Sequence, residues 1–284
     1  MRRFTPISPR QSQRGFVIVA VLWILVALSS LAMIFALYLS ASAQAMAIGD
    51  TALQNEALVS AAAELSAYRL MLTPGEARPA RGAFNFRMDD ADVSVTFTSE
   101  AARIDLNFAP KEALAAFFAV LGAGKEVAQE GAERVVGWRT RPTPGSANEE
   151  EARYAASGYS PRQSLFTHVN ELALVAGLSP VLVERALPFV TIFNGSPDID
   201  ARIAAPEVVA ASGKNSDAAN GQPKSVVTVK SLCYRVESVI RFAGGRRSIS
   251  EVVIVLGDER EPYRVLSWQD DVGPANNPPM RRRS

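Results

Sequence analysis

The sequence contains a single cysteine, Cys233, and a single histidine, His168, among its 284 residues. One cysteine excludes an intramolecular disulfide, and one histidine excludes the multi-histidine sites that hold catalytic zinc. We interpret His168, which precedes Val169 and Asn170, as a surface or helix-start residue. A glycine-rich phosphate loop and a Ser–His–acid arrangement are also missing. We therefore predict no catalytic residues and no enzymatic activity.

A strong excess of either charge is also missing, because 30 basic and 29 acidic residues give a net charge of +1. The first 15 residues hold four arginines and no acid, so the rest of the chain has 26 basic residues against 29 acidic ones. Only the triplet Arg281–Arg283 concentrates positive charge elsewhere. This balance gives no electrostatic footprint for nucleic acid.

Uncharged residues fill the stretch Phe16–Leu39, which is 24 residues long. A helix of that length covers roughly 36 Å, enough for a hydrocarbon core of about 30 Å. Arginines precede this stretch, and the first acids, Asp50, Glu56 and Glu64, follow it. The positive-inside rule then places residue 1 in the cytoplasm and most of the chain outside. We predict a single transmembrane helix over residues 16–40.

Two ordinary explanations of the apolar stretch are a cleaved secretory signal and a plain signal anchor. A cleaved secretory signal would use the small residues 41–43, but its apolar region would span about 7–15 residues, much less than is present. A plain signal anchor is physically adequate, yet it does not explain why residues 44–72 are rich in Ala, Leu and Glu until Pro74. One helix over Phe16–Leu72 would extend for roughly 85 Å.

The third explanation rests on Gly15, which ends the basic leader, and on Phe16, which starts the apolar helix. This pattern resembles type IV pilins and type II secretion pseudopilins. The resemblance implies that a prepilin peptidase cuts between Gly15 and Phe16, that Phe16 is N-methylated, and that the helix stays in the mature protein.

The residue Ala20 makes the resemblance more specific. Most family members carry a glutamate at this place, five residues into the mature chain, where it is thought to pair with the N-terminal amine of a neighbouring subunit. A carboxylate in lipid is costly without such a partner. Protein K of type II secretion systems typically lacks this glutamate and is thought to sit at the tip of the pseudopilus. The leader, Ala20 and the chain length together resemble protein K.

Alternating apolar and polar residues predict antiparallel strands on both sides of a helical block. Residues 82–88 and 92–98 form a predicted hairpin around Asp89-Asp90. Three further strands are predicted over residues 234–242, 247–256 and 263–268, with Cys233 as a small buried residue at a strand start. A sheet of this kind is expected to pack its apolar face on the N-terminal helix.

The block between these strands is predicted to be helical. The stretch 104–121 is expected to start with an extended segment at residues 105–107 and to become helical with Pro110 in the first turn. A second helix is expected over 125–138, followed by a loop over 140–158. A helix-hairpin-helix unit follows, with helices over 170–176 and 180–190, Ser179 as N-cap and Pro180 at the first helical position.

The stretch Ile104–Ala116 is echoed by Ile199–Ala211, and the two share six of thirteen residues. We interpret the two stretches as the starts of two similar helical units.

Helix-hairpin-helix units often bind DNA, which gives the main alternative function, a membrane-anchored DNA-uptake protein. Such sites need a Gly-x-Gly hairpin backed by Lys or Arg. Here the hairpin is Gly177-Leu178-Ser179, and the next helix offers only Glu184 and Arg185 as charges. A packing role is therefore favoured.

The predicted cofactor set is none, and the metal ligands are unknown. Calcium stays open as an alternative at two acidic places, the turn at Asp89, Asp90 and Asp92 and the run Glu149–Glu151. Turn chemistry and a solvated loop are the simpler interpretations of these carboxylates.

The predicted fold is α+β: a pilin-like long N-terminal helix, with a transmembrane first half, on an antiparallel sheet with a large inserted helical domain of the helix-hairpin-helix or SAM-like kind. The predicted segments are a leader (1–15), a transmembrane helix (16–40), its periplasmic continuation (41–73), the first strands (74–100), the inserted domain (101–212), a linker (213–224), the last strands (225–270) and a disordered tail (271–284).

The resemblance implies a minor pseudopilin in the bacterial inner membrane, with the N-terminus cytoplasmic and the C-terminal domain periplasmic. It would help to initiate pseudopilus assembly and protein export across the outer membrane. The implied partners are the I, J and H type minor pseudopilins and the prepilin peptidase, with secreted substrates and the outer-membrane secretin as further candidates. Nucleic acid is not among them.

Overall fold

The computed structural model describes residues 13–75, 77–142, 149–155, 157–212, 231–258 and 260–270. Two compact units divide the chain between Ala57 and Leu58. The predicted linker and tail lie outside the described residues, as do the first twelve residues of the predicted leader.

The helices of the described residues are, in chain order, α1 (Gln13–Leu72), α2 (Lys111–Val120), α3 (Lys125–Arg139), α4 (Glu149–Tyr154), α5 (Pro180–Ala186) and α6 (Pro206–Ala211). The strands are β1 (Arg81–Met88), β2 (Ala91–Ser99), β3 (Ile104–Asp105), β4 (Val190–Thr191), β5 (Cys233–Phe242), β6 (Arg247–Leu256) and β7 (Tyr263–Asp270). Short 3-10 helices lie at Glu100–Ala102, Val169–Leu174 and Leu187–Phe189.

The first unit consists of the N-terminal part of α1. Residues Val17–Ser40 have a mean hydropathy of 2.8, and none of them is buried. By length and composition this stretch is able to cross a membrane. The helix begins at Gln13, three residues before the predicted start at Phe16.

The second unit is built on a five-stranded antiparallel sheet with the order β1-β2-β5-β6-β7. The first hairpin turns at Asp89-Asp90, where Met88 pairs with Ala91 and Asp89 has a φ of 51°. Aspartate tolerates this left-handed conformation better than most residues. Each strand lies within two residues of its predicted bounds, and β7 pairs with β6 through an irregularity at Val253/Ile254.

One face of this sheet is covered by the last part of α1, which supplies Leu58, Val59, Ala62, Ala63, Ala67 and Leu70. The opposing strand residues include Phe84, Val95, Val236 and Ile254. Alanines on the buried helix face bring the backbone close to the strands, and the longer residues fill the remaining space. The predicted α+β fold, with a long helix on an antiparallel sheet, is confirmed.

A second core lies between β2 and β5 in the chain, over residues 104–211, which we call the helical insertion. Its centre is formed by Leu114, Phe117 and Phe118 of α2 against Ala128, Ala132 and Val135 of α3. Trp138 extends this core toward Tyr154 and Phe166, at ring-centroid distances of 5.6 and 6.2 Å.

The structure corrects several details of the predicted insertion. Pro110 is the N-cap of α2 rather than a residue of its first turn. The predicted loop over 140–158 contains α4, and the first helix of the hairpin is a 3-10 helix, Val169–Leu174. The second hairpin helix ends at Ala186, because residues 187–191 continue as a 3-10 turn and a short strand that pairs with β3.

Two other local predictions are confirmed. The Ser179 hydroxyl accepts a hydrogen bond from the amide of Leu182, as an N-cap does, and Pro180 starts α5. His168 is the N-cap of the 3-10 helix, where its Nδ1 accepts from the amide of Asn170.

The echo between the two stretches is also present in the structure. Oδ1 of Asp105 accepts from the amide of Asn107 at 2.8 Å, and Oδ1 of Asp200 accepts from the amide of Arg202 at 3.1 Å. Both aspartate carbonyls accept from the amides three and four residues later. Each stretch therefore uses the same side-chain turn to lead into a helix.

Candidate functional site

A buried carboxylate occupies the point where the chain leaves the sheet for the helical insertion. Glu100 follows β2 directly and is completely buried. Its Oε1 accepts from Nε of Arg235 in β5 at 2.8 Å, and its Oε2 accepts from Nη2 of the same arginine at 3.1 Å. Because both oxygens are engaged by one guanidinium, this contact is bidentate, a strong and geometrically specific arrangement.

The same carboxylate also contacts the insertion. Oε2 of Glu100 accepts from the hydroxyl of Thr191 in β4, and Oε1 accepts from Nη1 of Arg103 at 3.3 Å. Nη1 of Arg235 donates to Glu251 of β6 at 2.8 Å. The cluster, which we call the junction, therefore ties β5 and β6 of the sheet to Thr191 of the insertion and to Arg103, which directly precedes the insertion.

The electrostatics of the junction favour its charged state. Burial raises the pKa of Glu100, but the Arg235 and Arg103 guanidiniums and the hydrogen bonds to the carboxylate lower it by more, so that the net pKa lies below its ordinary value. Burial lowers the pKa of Arg235, and Glu100 and Glu251 more than reverse this, so its net pKa is raised. A buried ion pair is stable only when hydrogen bonds satisfy both partners, as they do here.

A second polar centre lies inside the insertion, beside the first. Oδ2 of Asp105 accepts from the amide of Gly195 at 2.8 Å, and Leu106 donates its amide to the carbonyl of Thr191 at 2.8 Å. Burial raises the pKa of Asp105, and backbone hydrogen bonds only partly offset this. These contacts join β3, at the start of the insertion, to β4 and the residues that follow β4.

The part of α1 on the sheet has a second apolar face. Ala61, Leu65, Tyr68 and Leu72 are spaced four, three and four residues apart, so they share one side of the helix. Tyr68 is 61% exposed and Leu72 is 66% exposed. The buried residues of the same helix point to the opposite side, as their offsets at about 100° per residue require. We call this outward set the apolar stripe.

The predicted processing residues lie in α1. The backbone of Gly15 and Phe16 is helical, and Ala20 is partly exposed on the apolar segment. Cleavage between Gly15 and Phe16, methylation of Phe16 and the consequence of Ala20 remain predictions.

The helix hairpin is used for internal packing. A Cβ added at Gly131 of α3 would lie 2.7 Å from Cδ2 of Leu178, so the hairpin and α3 touch there. Arg185, the one basic residue of α5, donates from Nη1 to the carbonyl of Leu121 at 3.2 Å. A phosphate-binding hairpin needs its basic side chain free for the ligand, and this contact favours the packing role.

The two acidic places considered for calcium differ in structure. Asp89 and Asp90 form a tight turn, and Glu150 contacts Arg134 at 3.7 Å. Among the described residues, no three His, Cys, Asp or Glu side chains come together in a group that could hold a metal.

Sequence reasoning missed the junction. Glu100 lies 135 positions from Arg235, and sequence separation gives no hint of their contact. One signal was available. Glu100 directly follows the alternating strand β2, and Arg235 lies on the more polar face of the alternating strand β5, where it is only partly exposed; charges that are buried or half-buried need partners.

Comparison with known proteins adds to this geometry. Residues 98–195 match the family described as Type II secretion system (T2SS), protein K. A solved structure with the same fold is a chain of the GspK-GspI-GspJ complex from the enterotoxigenic Escherichia coli Type 2 Secretion System, with a TM-score of 0.59 and 17% sequence identity. The match covers 79% of this chain and 99% of that chain. A search of curated proteins found no match.

The matched family segment contains Glu100, Arg103, Asp105 and Thr191, so it covers most of the junction as well as the hairpin. At 17% identity the structural likeness establishes the fold, and the family match adds the identity of the inserted segment. The matched segment and the shared fold together confirm the resemblance to protein K of type II secretion systems.

Proposed function

We propose that this protein is a minor pseudopilin that sits at the tip of the periplasmic pseudopilus of a type II secretion system. It is anchored by α1 in the bacterial inner membrane, with its N-terminus in the cytoplasm and residues 58–270 in the periplasm. Its work is structural: it joins other minor pseudopilins, initiates assembly of the pseudopilus and so supports protein export across the outer membrane.

The observation that carries this proposal is the apolar stripe. One face of this helix already covers the sheet. The fold of the second unit therefore does not require apolar side chains at Leu65, Tyr68 and Leu72 on the other, exposed face. An exposed apolar row at coiled-coil spacing is typical of a helix that packs against further helices. The exposed segment Val17–Ser40 offers the same kind of contact within lipid, where Ala and Ser permit close helix approach.

The partners proposed for the stripe are the helices of I and J type minor pseudopilins. The solved relative is a chain of a GspK-GspI-GspJ complex, which supports this choice. The proposed tip position has two supports. The first is the helical insertion, whose volume between β2 and β5 would hinder stacking beneath another subunit. The second is Ala20, which lacks the carboxylate that would pair with the N-terminal amine of a subunit ahead.

Co-purification tests the proposed partnership. The full-length protein, co-expressed with I and J type minor pseudopilins and extracted in mild detergent, is expected to retain both. The double variant Tyr68→Ala/Leu72→Ala is expected to lose most of this retention, because it removes the two most exposed side chains of the stripe.

The matched control is Glu64→Gln, an exposed change on the same helix that leaves the stripe intact. Equal retention of the partners by the double variant and by the control, with all proteins folded, would contradict the proposed role of the stripe.

A further inference from the structure

The sheet and the helical insertion have separate apolar cores. The sheet core consists of residues from α1 and the long strands, such as Leu70, Val95 and Ile254, whereas the insertion core is centred on α2 and α3. Among the described residues, none belongs to both buried clusters. Each body is therefore stabilised by its own apolar burial, and the polar contacts of the junction connect the two.

The base of the insertion is closed by contacts of its own. β3 and β4 form a parallel pair. The amide of Leu106 donates to the carbonyl of Thr191 at 2.8 Å, and the carboxylate of Asp105 accepts from the amide of Gly195 at 2.8 Å. All of these groups belong to the insertion. Its fold therefore does not depend on its contacts with the sheet.

The segment Glu100–Arg103, between β2 and β3, is bound to the insertion. The carbonyl of Ala101 accepts from the amide of Asp200 at 2.8 Å. Nε of Arg103 donates to the carbonyl of Pro188 at 3.4 Å. This segment therefore belongs with the insertion rather than with the sheet, although it follows β2 directly.

One arginine of the sheet binds two buried carboxylates that have different surroundings. Arg235 of β5 donates to Glu100 at 2.8 and 3.1 Å and to Glu251 of β6 at 2.8 Å. The two glutamates are 0% and 8% exposed, respectively. Glu100 also accepts from the hydroxyl of Thr191, so its pair with Arg235 links the sheet to the insertion. The pair with Glu251 lies within the sheet.

We propose that the Glu100–Arg235 pair, which we call the latch, holds the helical insertion on the sheet, and that breaking it lets the insertion rotate as a rigid body about residues 99–100. A neutral Glu100 leaves the guanidiniums of Arg235 and Arg103 without their shared charged acceptor, and rotation lets water solvate them. The insertion is held at neutral pH and released in acid. This assignment does not depend on the pseudopilin function.

The direction of the pH effect follows from the groups that face the latch. These groups are the guanidiniums of Arg103 and Arg235, the carboxylates of Glu237, Glu251 and Asp105, and the thiol of Cys233. The arginines hold the pKa of Glu100 below its ordinary 4.5, so the latch is complete above pH 4.5 and is lost as the pH falls through the native pKa.

Two of these groups do not affect the latch in this range. Asp105 accepts from amides of the insertion, so its protonation breaks no link to the sheet. Burial raises the pKa of the Cys233 thiol to about 11, so this thiol stays neutral between pH 3 and pH 7.

Distances between two spin labels test the latch in the full-length protein in phosphatidylcholine nanodiscs. The labels are attached at Asn85→Cys on β1 and Gln129→Cys on α3, two exposed positions, in a Cys233→Ala background. Pulsed EPR of this labelled protein at pH 7 is expected to give one narrow distance distribution. Adding Glu100→Gln is expected to produce a second, broader component, and acidification of the labelled protein toward pH 3 is expected to do the same.

The matched control is Glu251→Gln, which removes a buried carboxylate from the same arginine but from within the sheet. It is expected to keep the single distance distribution of the labelled protein. Hydrogen exchange followed by mass spectrometry distinguishes rotation from unfolding. The amides of α2 and α3 are expected to stay protected in Glu100→Gln, because the insertion moves as an intact body.

The proposal is wrong if folded Glu100→Gln keeps the single distance distribution, or if Glu251→Gln shows an equal second component. Loss of protection in α2 and α3 together with the new component would mean that the insertion unfolds rather than rotates. If Glu100→Gln does not fold, the acid series of the labelled protein decides. A distribution that stays unchanged until α2 and α3 lose protection would then contradict the latch.

Discussion

At the residue scale, Glu100 connects the insertion with the sheet. Its carboxylate binds Arg235 of the sheet, Thr191 of the insertion and Arg103 between them. Removing one partner of a buried ion pair leaves the remaining charges without compensation. The resulting loss of stability is larger than the net stabilisation that the intact pair provides. The contribution of the junction to the free energy of unfolding is therefore best measured by substituting Glu100.

We expect Glu100→Gln to lower the free energy of unfolding by about 3–5 kcal/mol, because Arg235 and Arg103 lose their charged acceptor while still buried. Urea unfolding of the full-length protein in detergent, followed by tryptophan fluorescence, measures this. The control is Glu133→Gln, which removes an exposed pair between α3 and Lys111 of α2 and is expected to leave the free energy of unfolding almost unchanged. Similar losses in both variants would refute the special role of the junction.

The pH dependence of stability follows from the lowered pKa of Glu100. Its ordinary value is 4.5, and the native value lies below that. The stability that the carboxylate contributes is therefore complete above pH 4.5 and is lost as the pH falls through the native pKa. Asp105 acts in the opposite sense, since its raised pKa means that protonation relieves a cost of burial.

The free energies of unfolding of the parent protein and of Glu100→Gln, measured between pH 3 and pH 7, separate the contribution of Glu100 from that of Asp105. We expect the stability difference between the two proteins to be constant from pH 7 to about pH 5 and to shrink below that. A difference that grows toward low pH would mean that the sign of the Glu100 pKa shift is wrong.

Local rules predicted some residue roles and could not predict others. Ser179 and His168 were placed correctly because a cap contacts amides two or three residues away. Glu100, Arg235 and Thr191 were missed because their contacts close over long chain separations, which depend on the assembled fold.

At the element scale, the part of α1 that covers the sheet has two apolar faces with different surroundings. Leu70 belongs to the face that covers the sheet and is completely buried, whereas Leu72 belongs to the apolar stripe and is 66% exposed. The two leucines are two residues apart on one helix, so they form a matched pair. Substituting each leucine in turn therefore distinguishes a role in folding from the proposed role in association.

We expect Leu70→Ala to destabilise the second unit by about 2–5 kcal/mol, because the lost side chain leaves a cavity beneath the sheet. Leu72→Ala is expected to change the unfolding free energy by about 0.5 kcal/mol or less, since its side chain is largely in solvent. Urea unfolding compares the two directly. A large loss for Leu72→Ala would show that the stripe serves folding rather than association.

Strong periodicity made the long elements predictable, and its absence hid the short ones. The five strands of the sheet and α3 alternate or repeat clearly over eight or more residues. The six-residue α4 and the two-residue strands β3 and β4 are too short to show a period. The 3-10 helix Val169–Leu174 carries the same apolar spacing as an α-helix over so few residues, so its type depends on packing.

At the scale of the whole molecule, the chain combines an apolar helical segment that is long enough to cross a membrane, a sheet covered by the last part of α1, and an insertion with its own core. The α+β fold was predicted because each part has a distinct pattern: an uncharged run, alternating strands and a helical block.

The central claim is that α1 is the retained N-terminal helix of a pseudopilin. The most direct test is the mass of the N-terminal fragment after co-expression with a prepilin peptidase. We predict a fragment that begins at Phe16 with a methylated amine. A fragment that begins at Met1 would contradict the claim and leave an ordinary signal anchor, and one that begins near Gln44 would mean that the helix is removed with a secretory signal.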